Sequence, residues 1–189
     1  PALDEHSRTK HLIIADYLKR YIQVYMSNAM IERLQLTVVD GFAGGGRYRD
    51  ALTGENVNGS PFLILDAIKE AEAELNIGRR KPRSIDAEYH FVESLDDHFD
   101  YLVNEIEESD YLNYLGSKIF LYKGLFTQKA PTIIERITAR NTSQRSIFIL
   151  DQYAYKDVPF NLVKQILCNV KGSEIILTFN YDSLQAYIS

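Results

Sequence analysis

The chain has 189 residues, of which 46% are hydrophobic and 25% are charged, and its formal net charge is −5. This length suits one well-buried α/β domain and is too short for two comfortable ones. The negative charge argues against non-specific binding of nucleic acid over the whole surface.

The first segment of the chain, about residues 7 to 27, predicts an amphipathic helix. Its apolar residues recur at intervals of three or four, as one buried helical face requires, with Ser7 as a plausible cap. The residues of that face are Leu12, Ala15, Leu18, Ile22 and Met26. We expect this helix to precede the first strand of a sheet.

The first predicted strand ends on an acid and runs directly into glycines. Asp40 follows an apolar, β-branched run, and Phe42 and Ala43 lead into Gly44 to Gly46. A turn without Cβ atoms lets the backbone approach a ligand closely, while the acid beside it meets a cation or a hydroxyl. The segment predicts a nucleotide-cofactor site, and a glycine-rich hairpin without a ligand is the alternative.

Three classes of cofactor protein use such a turn. A phosphate-binding P-loop requires Lys and then Ser or Thr after the last glycine, where this chain has Arg47 and Tyr48. A nicotinamide or flavin fingerprint requires Gly or Ala where this chain has Arg49. The remaining pattern, D-x-F-A-G-x-G, resembles motif I of class I S-adenosylmethionine (SAM) methyltransferases.

The rest of the chain alternates between predicted helices and strands. A polar segment from Arg47 to Gly59 precedes a helix from Ser60 to about Leu75, with Ser60 as its N-cap. Four further strands are predicted at 88–93, 118–122, 146–151 and 174–180, and the clearest helices between them at 96–108 and 131–140. This alternation predicts an α/β fold with a doubly wound, mostly parallel, Rossmann-like sheet of order 3-2-1-4-5.

Acidic residues end three of the predicted strands: Asp40, Glu93 and Asp151. Ligands of a doubly wound sheet bind beyond the carboxyl ends of its strands, and a carboxylate at the position of Glu93 accepts both ribose hydroxyls in SAM and dinucleotide folds. Glu93 lies farther from the glycines than the roughly 20 residues of a nucleotide fingerprint. An exposed or ion-paired glutamate is therefore the alternative.

Asp151 and Tyr153 are the predicted catalytic residues. They lie where the D/N-P-P-Y/F motif of amino-methyltransferases provides an acceptor for the target amine and a ring that stacks on its base. Both prolines of that motif are absent, so simple packing is the alternative for Tyr153.

Other polar residues indicate structural roles. Cys168 lies in an apolar helical pattern, which predicts a core thiol, and it is too far along the chain to be the nucleophile of cytosine methylation. His90 lies within a strand and is expected to be structural. No spacing of His, Cys and carboxylates suggests a metal. The polar N-terminus and the lack of an apolar run of roughly 20 residues predict a cytoplasmic protein without membrane contact.

The whole chain resembles the three-Cys-motif partner family, which is assigned to the class I SAM methyltransferases. The most specific element of the likeness is D-G-F-A-G-x-G-R-Y at Asp40–Tyr48, with Lys10-His11 upstream and Gly59-Ser60-Pro61 downstream. The likeness continues through 91–93 and 148–151 to 177–180. The chain departs from the family at Gln152 and Ala154, where the family has Pro and Gly, and at Gly45, where proline is common.

The resemblance implies a set of cofactor contacts for SAM. Similar ribosomal-RNA adenine methyltransferases carry a Lys-His pair on a helix before motif I. By this resemblance, Lys10 would neutralise the carboxylate of the cofactor. An exposed lysine without this role is the alternative. The other implied contacts are Asp40, Phe42, Ala43, Gly44, Gly46 and Glu93.

The resemblance also implies an activity and partners. It implies methyl transfer to an amino group, with a nucleic-acid base as a candidate acceptor, and a protein partner that bears a three-cysteine motif. Methyltransferase sheets usually add two strands after the fifth, so we expect residues 1–189 to be a single domain truncated at its C-terminus. The alternative function is a non-catalytic partner protein with a degenerate cofactor pocket. A nicotinamide oxidoreductase is disfavoured because the chain lacks an evident Tyr-x-x-x-Lys pair.

Overall fold

The computed structural model describes residues 2–3, 5–50, 54–140, 144–152 and 157–178. Its helices are α1 (Glu5–Tyr25), α2 (Ser60–Leu75), α3 (Asp96–Glu107), α4 (Phe126–Arg140) and α5 (Phe160–Asn169), with a short 3₁₀ helix at Leu112–Tyr114. Its strands are β1 (Ala2–Leu3), β2 (Arg33–Asp40), β3 (Arg47–Asp50), β4 (Asn56–Asn58), β5 (Ser84–Glu93), β6 (Ile119–Lys123), β7 (Arg145–Leu150) and β8 (Ser173–Leu177). None of the described helices is long and apolar enough to cross a membrane.

Five of the strands form one parallel sheet of order β6-β5-β2-β7-β8. Helices connect them, as parallel strands require. The fold is therefore α/β and Rossmann-like. The predicted order 3-2-1-4-5 numbers only the five strands of this sheet. The numbering of the observed order differs because three short strands, β1, β3 and β4, also form in the described chain.

Those three short strands form a second sheet of order β1-β3-β4 that was not predicted from the sequence. The polar segment after the glycines folds back as an antiparallel hairpin, with Arg47 opposite Asn58 and Arg49 opposite Asn56. Alternation of apolar and polar residues is too weak in this segment to indicate a strand. The Gly59 N–H donates to the Gly46 carbonyl oxygen at 2.7 Å, which continues this pairing at the open end of the hairpin.

Helices cover both faces of the large sheet. One core lies under α1, α2 and α3 and includes Leu18, Phe62 and Phe91; the other lies under α4 and α5 and includes Phe126 and Phe148. Successive strand residues point to opposite faces, so β2 contributes Val38 to the first core and Val39 to the second. The central strand is buried on both sides, which explains its continuous apolar sequence.

Two local predictions are wrong. Gly59, in extended conformation, is the N-cap of α2, so Ser60 is the first residue of the helix and not its cap. Cys168 is exposed and not a core thiol. The buried face of α5 contains Leu162 and Ile166, and Cys168 lies two residues further on, about 200° around the helix.

His90 is buried and hydrogen-bonded through both ring nitrogens, as a structural histidine should be. Its Nε2 lies 2.9 Å from Glu88 Oε1, and its Nδ1 lies 2.9 Å from the Tyr122 hydroxyl. Burial lowers the pKa of His90. Arg136 donates to the same Glu88 oxygen at 3.0 Å, so the buried carboxylate is compensated.

Candidate functional site

The site is at the carboxyl edge of the large sheet, at the point where the order of the strands reverses. The central strand β2 lies between β5 and β7, and Asp40 pairs in register with Phe91 on one side and Ile149 on the other. The crossovers to these two neighbours leave in opposite directions, which opens a crevice beyond the ends of the strands. Asp40 therefore lies at the switch point, where folds of this class bind ligands.

Asp40 has one carboxylate oxygen without a hydrogen bond. Only 1% of the residue is exposed, and its Oδ1 accepts the Phe42 N–H at 3.0 Å. The hydroxyl of nearby Ser60 donates to the Ala43 carbonyl oxygen at 3.4 Å, so Oδ2 has no partner among the described residues. Buried polar atoms without a hydrogen-bond partner are rare, and a bound ligand is one way in which such an atom gains a partner.

Burial raises the pKa of Asp40 to about 6. The Phe42 N–H favours the charged form, whereas the negative charges of Asp151 and Glu93 oppose it. The three strand-end acids thus interact electrostatically, as expected for a shared site. Together they favour a cationic group in the crevice.

Glu93 holds the glycine turn against the end of β5. Its Oε2 accepts the Gly44 N–H at 2.7 Å, and its Oε1 accepts the Leu95 N–H at 2.7 Å. It is only 7% exposed and makes no ion pair with a described residue, so the alternative of an exposed or ion-paired glutamate is wrong. Each oxygen retains acceptor capacity, because a carboxylate has about four lone-pair sites.

The glycines of the turn are required by the packing of the turn itself. Gly44 and Gly46 have φ angles of 65° and 83°, which side chains other than glycine rarely adopt. A Cβ on Gly46 would lie 2.8 Å from Leu102 Cδ1 and 3.0 Å from Phe62 Cε2, and a Cβ on Gly44 would meet the Tyr48 hydroxyl. The Cβ positions of both glycines therefore point at side chains of the protein, so the packing of the turn alone requires glycine at both positions.

The two residues between Asp40 and the glycines fix the path of the turn. The N–H of fully buried Ala43 donates to the Val92 carbonyl oxygen at 2.9 Å. The half-buried ring of Phe42 packs 6.3 Å from the ring of Phe126. These contacts tie the turn to β5 on one side and to α4 on the other.

Tyr48 is a site residue that was not predicted from the sequence. It extends from β3 back to the glycine turn, and its ring centroid lies 6.5 Å from that of His11 on α1. Burial, with the nearby charges of Asp40 and Glu93, raises the pKa of Tyr48 to about 12, so the phenol stays protonated at neutral pH. The sequence feature that could have indicated this role is the aromatic residue two positions after the last glycine.

Lys10 and Asp151 form an ion pair across the crevice. Lys10 Nζ lies 2.9 Å from each carboxylate oxygen of Asp151, which immediately follows β7. The pair joins α1 to the carboxyl edge of the sheet. Lys10 is therefore not an unpaired surface lysine, and its partner in this structure is the Asp151 carboxylate.

Gln152 replaces the first proline of the expected motif and has a clear structural role. It is 5% exposed; its Nε2 donates to the Thr178 carbonyl oxygen at 3.3 Å, and its Oε1 accepts the Val158 N–H at 3.1 Å. These bonds tie the end of β7 to both the following loop and the end of β8. Tyr153, the second predicted catalytic residue, lies outside the described residues, as does Ala154.

No protein-family model and no curated protein matches this chain. Within the described ranges, no group of three or more His, Cys, Asp or Glu side chains could hold a metal ion. The groups that define the chemistry of the site are therefore the three acids, the glycine turn and Lys10.

We predict that Gly46→Ala destabilises the protein by about 2–4 kcal/mol, because a positive φ and a steric clash both oppose the new methyl group. Gly78→Ala is the matched control, since Gly78 has a φ of 70° and no heavy atom lies within 4 Å of the position that its Cβ would take. Gly78→Ala should lower the free energy of unfolding by only about 1–2 kcal/mol. Urea unfolding of both variants measures the difference, and equal losses would contradict the packing role of Gly46.

We predict that Asp40→Asn stabilises the unliganded protein. The raised pKa means that the unfolded state releases its proton near pH 4, whereas the folded state keeps it until about pH 6. The contribution of Asp40 to stability therefore falls as the pH rises between these values, by up to about 3 kcal/mol. The gain from Asp40→Asn should be small below pH 4 and largest above pH 6 in urea unfolding, and a gain independent of pH would contradict the burial of this charge.

Proposed function

We propose that this chain is a SAM-dependent methyltransferase that acts on an amino group. The observation that carries the proposal is the buried Oδ2 of Asp40, which lacks a partner among the described residues beside the glycine turn at the switch point. An atom that is costly to leave unpaired in the free protein gains a hydrogen bond or a charge partner when a ligand binds. The resemblance to the three-Cys-motif partner family agrees with this assignment.

The residues at the crevice fit the chemistry of SAM. The cofactor carries a sulfonium cation, an ammonium group and a ribose diol, all of which interact favourably with carboxylates. Glu93 retains acceptor capacity for the ribose hydroxyls, and Asp40 Oδ2 is available for a further donor or cation. When bound, SAM supplies an electrophilic methyl group.

Asp151 and Lys10 would act on the acceptor side of the crevice. In the free protein Asp151 accepts from Lys10 with both oxygens. An acceptor amine that donates to Asp151 would replace part of this interaction, and the carboxylate would orient the nitrogen lone pair and take its proton. Such catalysis depends mainly on the positioning of the two groups. A nucleic-acid base and a partner with a three-cysteine motif are the acceptor and partner that the resemblance adds to the proposal.

A second candidate is a non-catalytic partner protein that retains the cofactor pocket. The closed Lys10–Asp151 ion pair favours it, because both oxygens of the predicted catalytic carboxylate are engaged. Gln152 in place of proline also favours it. The two candidates share a SAM site and differ in whether Asp151 is used for transfer.

We predict that Asp40→Asn weakens SAM binding at least tenfold while leaving the fold intact. The new amide cannot attract a cation as the carboxylate does, and a tenfold loss corresponds to about 1.4 kcal/mol. Asp16→Asn is the matched control, because Asp16 is an exposed acid paired with Arg20 on α1. Calorimetric titration of SAM and of S-adenosylhomocysteine measures the affinities.

Two outcomes would contradict this proposal. Equal SAM affinity for the wild type and Asp40→Asn would remove Asp40 from the site, and no binding to either protein would remove the cofactor. Transfer of a labelled methyl group to RNA, DNA or protein pools then separates the candidates. An enzyme should lose this transfer in Asp151→Ala with its SAM affinity retained, whereas a docking protein binds SAM and transfers nothing.

A further inference from the structure

A cavity of about 170 Å³ lies between α2, β5 and the 3₁₀ helix that precedes β6. Its walls are apolar or aromatic: Leu65, Ile68, Ile85, Ala87, Tyr89 and Tyr111. Tyr89 is the lining residue of β5 closest to Glu93, and four residues of strand, about 13 Å, separate the two. The cavity is therefore separate from the carboxyl-edge crevice.

The cavity exists because a small residue lies between two large ones on the same face of β5. Ile85, Ala87 and Tyr89 alternate with residues that face the other core, so all three point towards α2. Ala87 fills much less space than its neighbours. The methyl group of Ala87 thus forms the floor of a space that a larger side chain would fill.

The aromatic walls are held in place before any ligand binds. The Tyr111 hydroxyl donates to Asp66 Oδ1 at 2.6 Å, and the Tyr111 ring packs 6.3 Å from that of Tyr114. The Tyr89 ring packs 6.2 Å from the ring of Phe91. Preorganised rings lower the entropic cost of ordering the site around a ligand.

The volume of the cavity sets the size of the ligand. An apolar protein cavity of about 150 Å³ is large enough to bind benzene. A cavity of about 170 Å³ therefore holds one six-membered ring with little space to spare. A fused or larger ring system would have to extend through the mouth.

Charges at the rim set the polarity of the ligand. Lys69 Nζ lies 5.8 Å from the centroid of the Tyr111 ring, and Lys118 Nζ lies 5.6 Å from that of Tyr114. Lys69 forms no ion pair with a described carboxylate, and Lys118 has only a long one, 3.8 Å, to Asp86 among the described residues. Two ammonium groups above the aromatic walls favour an anionic substituent.

Acidic residues at the same rim limit that charge. Glu72 and Asp110 also line the mouth, and Glu72 Oε1 accepts the Ile85 N–H at 3.0 Å. A second negative charge on the ligand would be repelled by these two carboxylates. The rim therefore carries two positive and two negative charges, so it accommodates one anionic substituent beside the two ammonium groups and disfavours a second.

We propose that this cavity binds a monocyclic aromatic carboxylate, with its ring against Tyr89 and Tyr111 and its carboxylate between Lys69 and Lys118. The proposal does not depend on the cofactor site. It assigns a ligand class to a part of the molecule that the proposed methyl transfer does not use.

Sodium benzoate is the probe, and the methyl resonances of Ala87, Ile68 and Ile85 in ¹H–¹³C spectra report on the site. We predict saturable shifts at these methyls with a Kd on the order of 1 mM, as suits a ligand of this size. Ala87→Leu should fill the cavity and weaken binding at least tenfold, as judged from Ile68 and Ile85. Ala73→Leu, on the exposed face of α2, is the matched control and should bind as the wild type does.

Lys69→Met tests the role of the positive charge at the rim, because it removes the ammonium group and leaves the apolar and aromatic walls unchanged. It should weaken benzoate binding about three- to tenfold and leave the binding of neutral benzamide unchanged, whereas Lys164→Met on α5 should affect neither. Cyclohexanecarboxylate, with the same charge but no aromatic ring, should bind more weakly than benzoate. Benzoate shifts that are absent, or that persist in Ala87→Leu with circular dichroism unchanged, would overturn the proposal, as would equal losses of benzoate and benzamide in Lys69→Met.

Discussion

The arrangement of the carboxyl edge depends on one carboxylate buried at the end of the central strand. Asp40 is held between two neighbouring strands and is almost inaccessible to water. An ionised group in such a place must be compensated by hydrogen bonds or by opposite charge. The Phe42 N–H provides part of this compensation, and Oδ2 receives none from the described residues. A fold optimised only for stability would have placed an uncharged residue there.

The surroundings of Asp40 are built from the chain on both sides of it. The glycine turn is tied to Glu93, Val92 and Tyr48, so it is connected to β5 and to the hairpin of the second sheet. Helix α1 closes the opposite side through Lys10 and Asp151. The crevice is thus enclosed by segments that are distant in sequence, and the packing of each constrains the others.

The large sheet could be predicted because its signals are local and periodic. Apolar runs indicated its five strands, and the observed bounds of β5, β6 and β7 differ from the predicted ones by a few residues at most. The second sheet was missed because the segment that forms its hairpin is polar and has no apolar pattern to mark the strands. The predicted burial of Cys168 was wrong because an apolar sequence does not specify the rotation of a helix about its axis.

The site shows the same division between local and tertiary information. Strand ends could be recognised in the sequence, and with them the three acids that share the edge. The partners of these acids could not be predicted from the sequence. The Lys10–Asp151 pair joins residues 141 positions apart and depends on how α1 packs across the sheet. The role of Gln152 was hidden for a related reason, because its side chain bonds to Thr178 and Val158, which lie farther along the chain.

The ion pair between Lys10 and Asp151 helps to set the net charge of the crevice. With the pair formed, one ammonium group offsets one of three carboxylates, and the remaining negative charge favours a cation beside Asp40 and Glu93. Because Lys10 and Asp151 are each about one-third exposed, solvent screens their attraction and the pair opens at modest cost. Opening the pair would leave Asp151 free to accept from an incoming amine. A partly exposed pair therefore leaves Asp151 able to exchange partners, whereas a fully buried pair would have held its carboxylate on Lys10.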